Sequence, residues 1–266
     1  MKNGGRGGKE GKPLDCELQK ASMWKRISAF LFDAILLGIV AVLFAWGLSA
    51  LTGYDGYSRT VTESYEKYGA QYGVDLRISK SEFDALPEEE ARKVEEGIAA
   101  LNADASALRA MQMMMSLSVL IVSLGLFFAF LAMEFLIPLK LGEGRTLGKK
   151  IFGIGLMRAE GVRVNAVTLF VRAILGKYAV ETMVPALILL MIYWGTIGVV
   201  GPAVLFLILN VEAAVMAATR TNALIHDLLA GTAVIDAASQ RIFDTREELA
   251  AYKARLAAEA AAREPD

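Results

Sequence analysis

Three long apolar blocks interrupt an otherwise charged sequence, at about residues 27–51, 113–139 and 179–219. A helix of roughly 20 apolar residues crosses the hydrocarbon core of a bilayer, and each block reaches that length. The third block is long enough for two helices, and Gly195 and Gly198 favour a turn within it. The pattern therefore predicts an all-α polytopic membrane protein. Its four predicted spans cover residues 27–51, 113–139, 179–196 and 198–219.

The charges between the blocks predict the orientation of the chain. Residues 1–26 contain seven basic and three acidic side chains, and residues 140–177 contain eight and two. Residues 52–112 contain seven basic and twelve acidic side chains. Because Lys and Arg favour the cytoplasmic side of a membrane, we expect both termini inside the cell and residues 52–112 outside. The predicted location is the cell membrane, with multiple spans.

The acidic segment 52–112 is predicted to fold as a helical hairpin. Ser79 and Glu82 have the spacing of a capping box. Pro87 precedes three consecutive glutamates, a composition that favours the first turn of a helix.

The remaining segments lie outside a predicted membrane domain at residues 22–236. Residues 1–21 are basic and glycine-rich, and we expect a disordered cytoplasmic leader. Residues 237–266 are predicted to form a cytoplasmic tail helix that begins near Thr245 and ends near Arg263.

The composition excludes several classes of chemistry. His226 is the only histidine and Cys16 the only cysteine, so metal sites with two histidine ligands and an internal disulfide are both excluded. No motif for a nucleophile and its base is present, and we predict no enzyme activity, no metal and no cofactor. The net charge of −1 predicts no nucleic-acid partner. The expected partners are the lipid bilayer, further copies of the chain in a homo-oligomer, and a protein bound to the acidic insert.

Four carboxylates fall within or at the edges of the predicted spans. An ionised acid at the bilayer centre costs about 2.5–3.5 kcal/mol, so each carboxylate needs a partner, water or a proton. With the predicted topology, all four lie toward the cytoplasmic ends of the spans. They are Asp33, Glu134, Glu181 and Glu212.

Arg26 precedes Asp33 by two helical turns, about 10.5 Å along the axis, so we expect each side chain to bond to residues from the cytoplasmic loops. Two interpretations remain open for these charges. They form a structural ion-pair network between helices, or they form a proton or cation site that opens to the cytoplasm.

Residues 144–153 predict a short basic helix at the membrane surface. In this interpretation Arg145 and Lys149 lie at the level of the lipid headgroups, while Leu147, Ile151 and Phe152 point toward the lipid. The alternative is that the cations neutralise the cluster of acids or attract an anion.

His226 and Asp227 are neighbours, and two functions are open for the histidine. Because His titrates near neutral pH, a proton shuttle is one of them. Adjacent residues in a helix point about 100° apart, however, and a hydrogen-bonded structural histidine is the other interpretation.

Three motifs together resemble a known family. Residues 26–33 begin with Arg and end with Asp, residues 144–153 read Gly-Arg-Thr-Leu-Gly-Lys-Lys-Ile-Phe-Gly, and residues 225–232 read Ile-His-Asp-Leu-Leu-Ala-Gly-Thr. In this order they resemble the RDD family of bacterial membrane proteins, over about residues 22–236. The resemblance implies that Arg26, Asp33 and Asp227 are the Arg and the two Asp of the family name. It also implies transport, because some members are described as sodium/proton antiporters. The acidic insert and the last hydrophobic hairpin depart from the family pattern.

Two functions follow from these observations. The first is a transporter of ions or small solutes whose proton or cation site contains Asp33 with Glu134 or Glu212. The second is a non-transporting accessory or interaction module in which the charges are structural.

Overall fold

The structure is a computed structural model that describes residues 18–262. Its helices are α1 (Met23–Thr52), α2 (Tyr54–Tyr72), α3 (Lys80–Phe83), α4 (Glu88–Ala103), α5 (Ala105–Leu141), α6 (Leu147–Ile151), α7 (Ala166–Tyr193), α8 (Val200–Ala218), α9 (Ile225–Ala230) and α10 (Arg246–Ala261). Its strands are β1 (Ile154–Arg158) and β2 (Thr232–Asp236).

Four helices, α1, α5, α7 and α8, are long and apolar enough to cross a membrane. Much of their apolar surface is exposed, as expected for side chains that face lipid. The all-α polytopic fold class is confirmed, with 73% of the described residues in helices. The turn that separates the last two spans is also present, with positive φ angles at Gly195 and Gly198.

The predicted start of the third span was wrong. Helix α7 begins at Ala166 rather than at residue 179. Arg172 and Lys177 belong to the predicted loop at residues 140–177, but both lie inside α7, and Arg172 is buried in the protein. A hydropathy pattern reports whether side chains tolerate lipid, and it therefore misses helical residues that face other protein groups.

Wide helical turns occur in α5 and α7 just before a proline. Residues Leu131–Leu136 and Val171–Met183 have π-helical geometry. Pro138 and Pro185 follow these segments, and each lacks the N–H group that would bond the carbonyl four residues earlier. Those earlier residues are Glu134 and Glu181, so both acidic side chains lie on turns that depart from the regular α-helix.

The described residues form two compact units. The first contains residues 18–38 and 129–262, and its centre is an antiparallel pair of strands in which Ile154 lies opposite Asp236 and Arg158 opposite Thr232. Ala21 donates a backbone hydrogen bond to Val234, which extends the sheet. The strands were not predicted, because each has only five residues. The core at the sheet consists of Ala21, Ala29, Ile154, Leu156, Val164, Leu169 and Val234.

The second unit, residues 39–128, contains the acidic insert. Helices α2 and α4 pack together as a hairpin, with α3 between them in sequence. The capping box is confirmed, because Ser79 accepts a hydrogen bond from the backbone of Glu82 while the Glu82 side chain bonds the backbone of Ser79. The helix start after Pro87 is confirmed as well.

The tail helix α10 begins after Thr245, whose hydroxyl accepts a hydrogen bond from the backbone N–H of Glu248. Tyr252 packs against Phe243, and the guanidinium of Arg241 lies 4.3 Å from the centre of the Tyr252 ring. Residues 1–17 of the predicted leader and the predicted end near Arg263 lie outside the described residues.

Candidate functional site

Asp33 caps the short helix α6. Its Oδ1 accepts a hydrogen bond of 2.8 Å from the backbone N–H of Gly148, and its Oδ2 accepts one from the hydroxyl of Thr146. Thr146 is the N-cap residue of α6, and its hydroxyl in turn accepts from the backbone of Lys149. A carboxylate at a helix N-terminus is stabilised by the unpaired N–H groups and by the helix dipole. Asp33 thus fixes α6 against α1.

Gly148 makes this approach possible. A Cβ atom at this position would lie 2.4 Å from the carbonyl oxygen of Ala29 and 2.9 Å from Cγ of Asp33. The absence of a side chain therefore allows the start of α6 to lie directly on α1.

Two arginines lie next to the carboxylate of Asp227. Nε of Arg172 donates a hydrogen bond of 2.9 Å to its Oδ1, and Nη2 of Arg26 lies 3.9 Å from its Oδ2. The hydroxyl of Thr232 donates a further bond of 3.0 Å. Asp227 is 1% exposed and Arg172 is 4% exposed, so this pair is almost completely removed from solvent. Arg26 also donates to the carbonyl of Thr221 at 3.2 Å.

The charges around Asp227 keep it ionised despite its burial. Burial by itself raises the pKa of this carboxyl group. The positive charge of Arg172 and the hydrogen bond from Arg172 lower it by more, so the pKa of Asp227 is below its usual range. The carboxylate therefore acts as a permanent anion between the two arginines.

His226 connects Arg172 to a pair of glutamates. Its Nε2 lies 2.8 Å from Nη2 of Arg172, and its Nδ1 lies 2.6 Å from Oε2 of Glu181. The backbone N–H of His226 also donates to Glu181, at 2.7 Å. Because an arginine supplies only donors, Nε2 is the acceptor and Nδ1 carries the proton donated to Glu181. Burial, followed by the charge of Arg172, lowers the pKa of His226 well below 6.5, so the imidazole is neutral at pH 7.

Glu212 from α8 comes within hydrogen-bonding reach of Glu181 from α7. Among the described residues, Oε2 of Glu212 is buried and has no hydrogen-bond partner. Two carboxyl groups form a hydrogen bond with each other only when one of them is protonated. The pair brings together two neighbouring membrane-spanning helices.

Glu134 is held by Lys177, with 2.6 Å between Oε1 and Nζ, and both side chains are largely buried. The ammonium of Lys149 is buried nearby and has no hydrogen-bond partner within residues 18–262.

The prediction for Lys149 was wrong. Helix α6 covers Leu147–Ile151, but Lys149 is 7% exposed, so its side chain lies inside the protein rather than at the level of the lipid headgroups. Ile151 is 62% exposed, as expected for an apolar side chain that points toward lipid. The Asp33 cap fixes the rotation of α6 and turns Lys149 toward the charged groups of α5 and α7. Arg145 forms an ion pair with Glu143 rather than with the predicted cluster of acids.

The structure brings most of the predicted site residues into one network within the first unit. Arg172 bonds both Asp227 and His226, so Arg26, Asp227, His226, Glu181 and Glu212 form one connected group. Asp33 bonds to Thr146 and Gly148 at the cap of α6, and Arg145 pairs with Glu143. The described residues contain no group of three or more His, Cys, Asp and Glu side chains that could hold a metal ion.

Arg172 and Lys177, which bond Asp227, His226 and Glu134, were not among the predicted site residues. One signal was available. Residues 166–176 contain a single charged side chain, that of Arg172, in an otherwise largely apolar run that leads directly into the third block. The run indicated a longer helix with an inward-facing arginine.

The RDD family model matches residues 20–231, which is most of the chain. The chain belongs to the RDD family. No curated protein and no solved structure matches it. In this RDD protein, the arginine and the two aspartates named by the resemblance have different roles. Arg26 and Asp227 lie in one buried ion-pair group, while Asp33 caps a helix.

Proposed function

We propose that this protein transports ions or small solutes across the membrane by binding and releasing a proton at Glu181 and Glu212. The observation that carries the proposal is the contact between these two carboxylates on adjacent membrane-spanning helices. A shared proton on a helix–helix contact links protonation to helix packing, because loss of that proton makes the two carboxylates repel each other.

The neighbouring groups support this assignment. The sequence predicts an ion site that contains Asp33 with Glu134 or Glu212. Asp33 and Glu134 are each already bound by strong donors, namely Gly148 and Thr146 for Asp33 and Lys177 for Glu134. Glu212 retains a carboxylate oxygen without a donor among the described residues. We therefore assign the ion-binding site to the Glu181–Glu212 pair rather than to Asp33. Neutral His226 is hydrogen-bonded to Glu181.

A second candidate is a non-transporting accessory module. The complete pairing of Asp227, with Arg172, Arg26 and Thr232 around it, favours this function, because such a network joins helices without any ion exchange. In this case the acidic insert binds a protein partner, and the glutamate pair is only a structural contact.

We further propose that the protein is a homo-oligomer in the cell membrane with both termini in the cytoplasm. The charge pattern supports the orientation even after Arg172 and Lys177 are assigned to a span, because residues 140–165 still contain six basic and two acidic side chains.

Transport is tested in proteoliposomes that contain a pH-sensitive dye. An outward or inward gradient of Na⁺, and in a separate experiment K⁺, is imposed, and proton movement is followed. We expect movement with the wild-type protein and its loss in the double variant Glu181→Gln and Glu212→Gln. Glu259→Gln, an exposed carboxylate on α10, is the matched control and should behave as wild type. Wild-type activity in the double variant would contradict the assignment of the site.

A further inference from the structure

The side chain of Lys149 lies in an unusual position for a lysine. It is 7% exposed, and its ammonium is buried without a hydrogen-bond partner within residues 18–262. Buried lysines are normally paired, because removal of an unpaired charge from water costs several kcal/mol. The backbone of Lys149 is fixed in the cap of α6, since its N–H donates a hydrogen bond to the hydroxyl of Thr146.

The charged groups that act on Lys149 come from three elements. Arg172 and Lys177 of α7 repel its ammonium, while Glu134 of α5 and Asp227 of α9 attract it. Both attracting carboxylates already have closer cationic partners, because Lys177 lies 2.6 Å from Glu134 and Arg172 lies 2.9 Å from Asp227. The cluster therefore contains one more cation than its carboxylates pair with.

We propose that the Lys149 amine is a proton-binding site, which alternates between a neutral amine and an ammonium in the folded protein. Loss of the proton removes the excess positive charge and leaves the Lys177–Glu134 and Arg172–Asp227 pairs intact. Gain of the proton adds a further cation and places Lys149 in competition with Lys177 for Glu134. Protonation thus changes the ion pairs that join α5, α6 and α7.

The electrostatic environment supports exchange near neutral pH. Burial, and then the charges of Arg172 and Lys177, lower the pKa of Lys149 from 10.5 to about 7. This site is separate from the Glu181–Glu212 pair. Its use as a coupling site rests on the proposed transport function, whereas proton binding itself does not.

The sign of the expected pH effect follows from this shift. Between pH 7 and 10.5, Lys149 is mainly neutral in the folded protein and protonated in the unfolded chain. Unfolding in this range therefore takes up a proton, and the free energy of unfolding rises as the pH increases. Below pH 7 both states are protonated, and the buried ammonium destabilises the folded protein by a constant amount.

The test is thermal unfolding of the purified full-length chain in detergent at pH 6–9.5. We expect the melting temperature of the wild-type protein to rise above pH 7. Lys149→Met should lose this rise and should melt at a higher temperature than wild type at pH 6. Lys150→Met is the matched control, since Lys150 is the adjacent and exposed lysine, and it should keep the wild-type pH dependence.

Two results would overturn the proposal. One is an unchanged pH dependence in Lys149→Met, and the other is a lower melting temperature than wild type at pH 6, which would show that the ammonium has a stabilising partner, for example a bound anion. A measurement on the wild type alone covers the case in which the variant does not fold. At pH 8.5, the dependence of the unfolding enthalpy on buffer should give an uptake of about one proton, and no uptake would contradict the proposal.

The two proposals fail in different ways. A flat pH profile in Lys149→Met, without any proton movement in wild-type proteoliposomes, would refute transport and retain the proton site. Transport that depends on Glu181 and Glu212, with normal pH dependence in Lys149→Met, would refute only the lysine site.

Discussion

At the scale of single residues, two glycines set the geometry of the charged network. Gly148 allows α6 to contact α1 at Asp33. Gly176 does the same for α9, because a Cβ atom there would lie 2.6 Å from Cβ of His226 and 2.7 Å from its Cα. Because the backbones come this close, charged side chains from neighbouring segments are able to reach one another.

Replacement of Gly148 by Ala should destabilise the protein by about 1–3 kcal/mol, because the added methyl group overlaps the carbonyl oxygen of Ala29 and displaces the Asp33 cap. The measurement is thermal unfolding in detergent. Gly38→Ala is the control, since a Cβ atom there meets nothing within 4 Å. Equal melting temperatures for the two variants would contradict this prediction, because they would show that α6 accommodates the added methyl group without a loss of stability.

The two arginines at Asp227 should differ in their effect on stability. Arg172→Met leaves a buried carboxylate without its direct partner, and we expect a loss of about 3–5 kcal/mol. Arg26→Met should cost less, because its guanidinium lies 3.9 Å from Asp227 and is more exposed. Chemical or thermal unfolding of both variants tests this order, and the reverse order would contradict it.

At the scale of elements, the short sheet anchors the segments that carry the site. Strand β1 follows α6, and strand β2 follows α9, so their pairing joins the two segments that contain Lys149 and Asp227. Leu156 and Ile235 are fully buried on this sheet.

Leu156→Ala should lower the free energy of unfolding by about 2–5 kcal/mol, because it leaves a cavity in the core at the sheet. Leu256→Ala, at a largely exposed position of α10, should change it little. Comparable losses for the two variants would show that the sheet contributes little to stability.

At the scale of the whole molecule, the orientation in the membrane is open to a direct experiment. Cys16 is the only cysteine, so Cys16→Ser provides a background without thiols. In that background, Glu89→Cys in the insert should react with a membrane-impermeant maleimide added to intact cells. Glu259→Cys in the tail should react only after the cells are permeabilised. Labelling of the tail in intact cells would contradict the proposed orientation.

The sequence alone predicted four spans, the approximate ends of the first and the last of them, the hairpin insert and its helix caps. These features depend on local properties, namely apolar runs of bilayer length and residues that satisfy the N–H groups at helix ends. The three motifs at residues 26–33, 144–153 and 225–232 were also sufficient to identify the family, which the match to residues 20–231 then confirmed.

Which charged groups meet depends on the tertiary fold. Arg172 and Lys177 looked like loop cations, and Lys149 looked like a headgroup anchor, because a linear pattern does not show the direction in which a side chain points. That direction depends on the wide turns of α5 and α7, on the close approach at Gly148 and on the cap that Asp33 provides. The partners of a buried charge are therefore set by contacts between distant segments, whereas the spans themselves are set by composition.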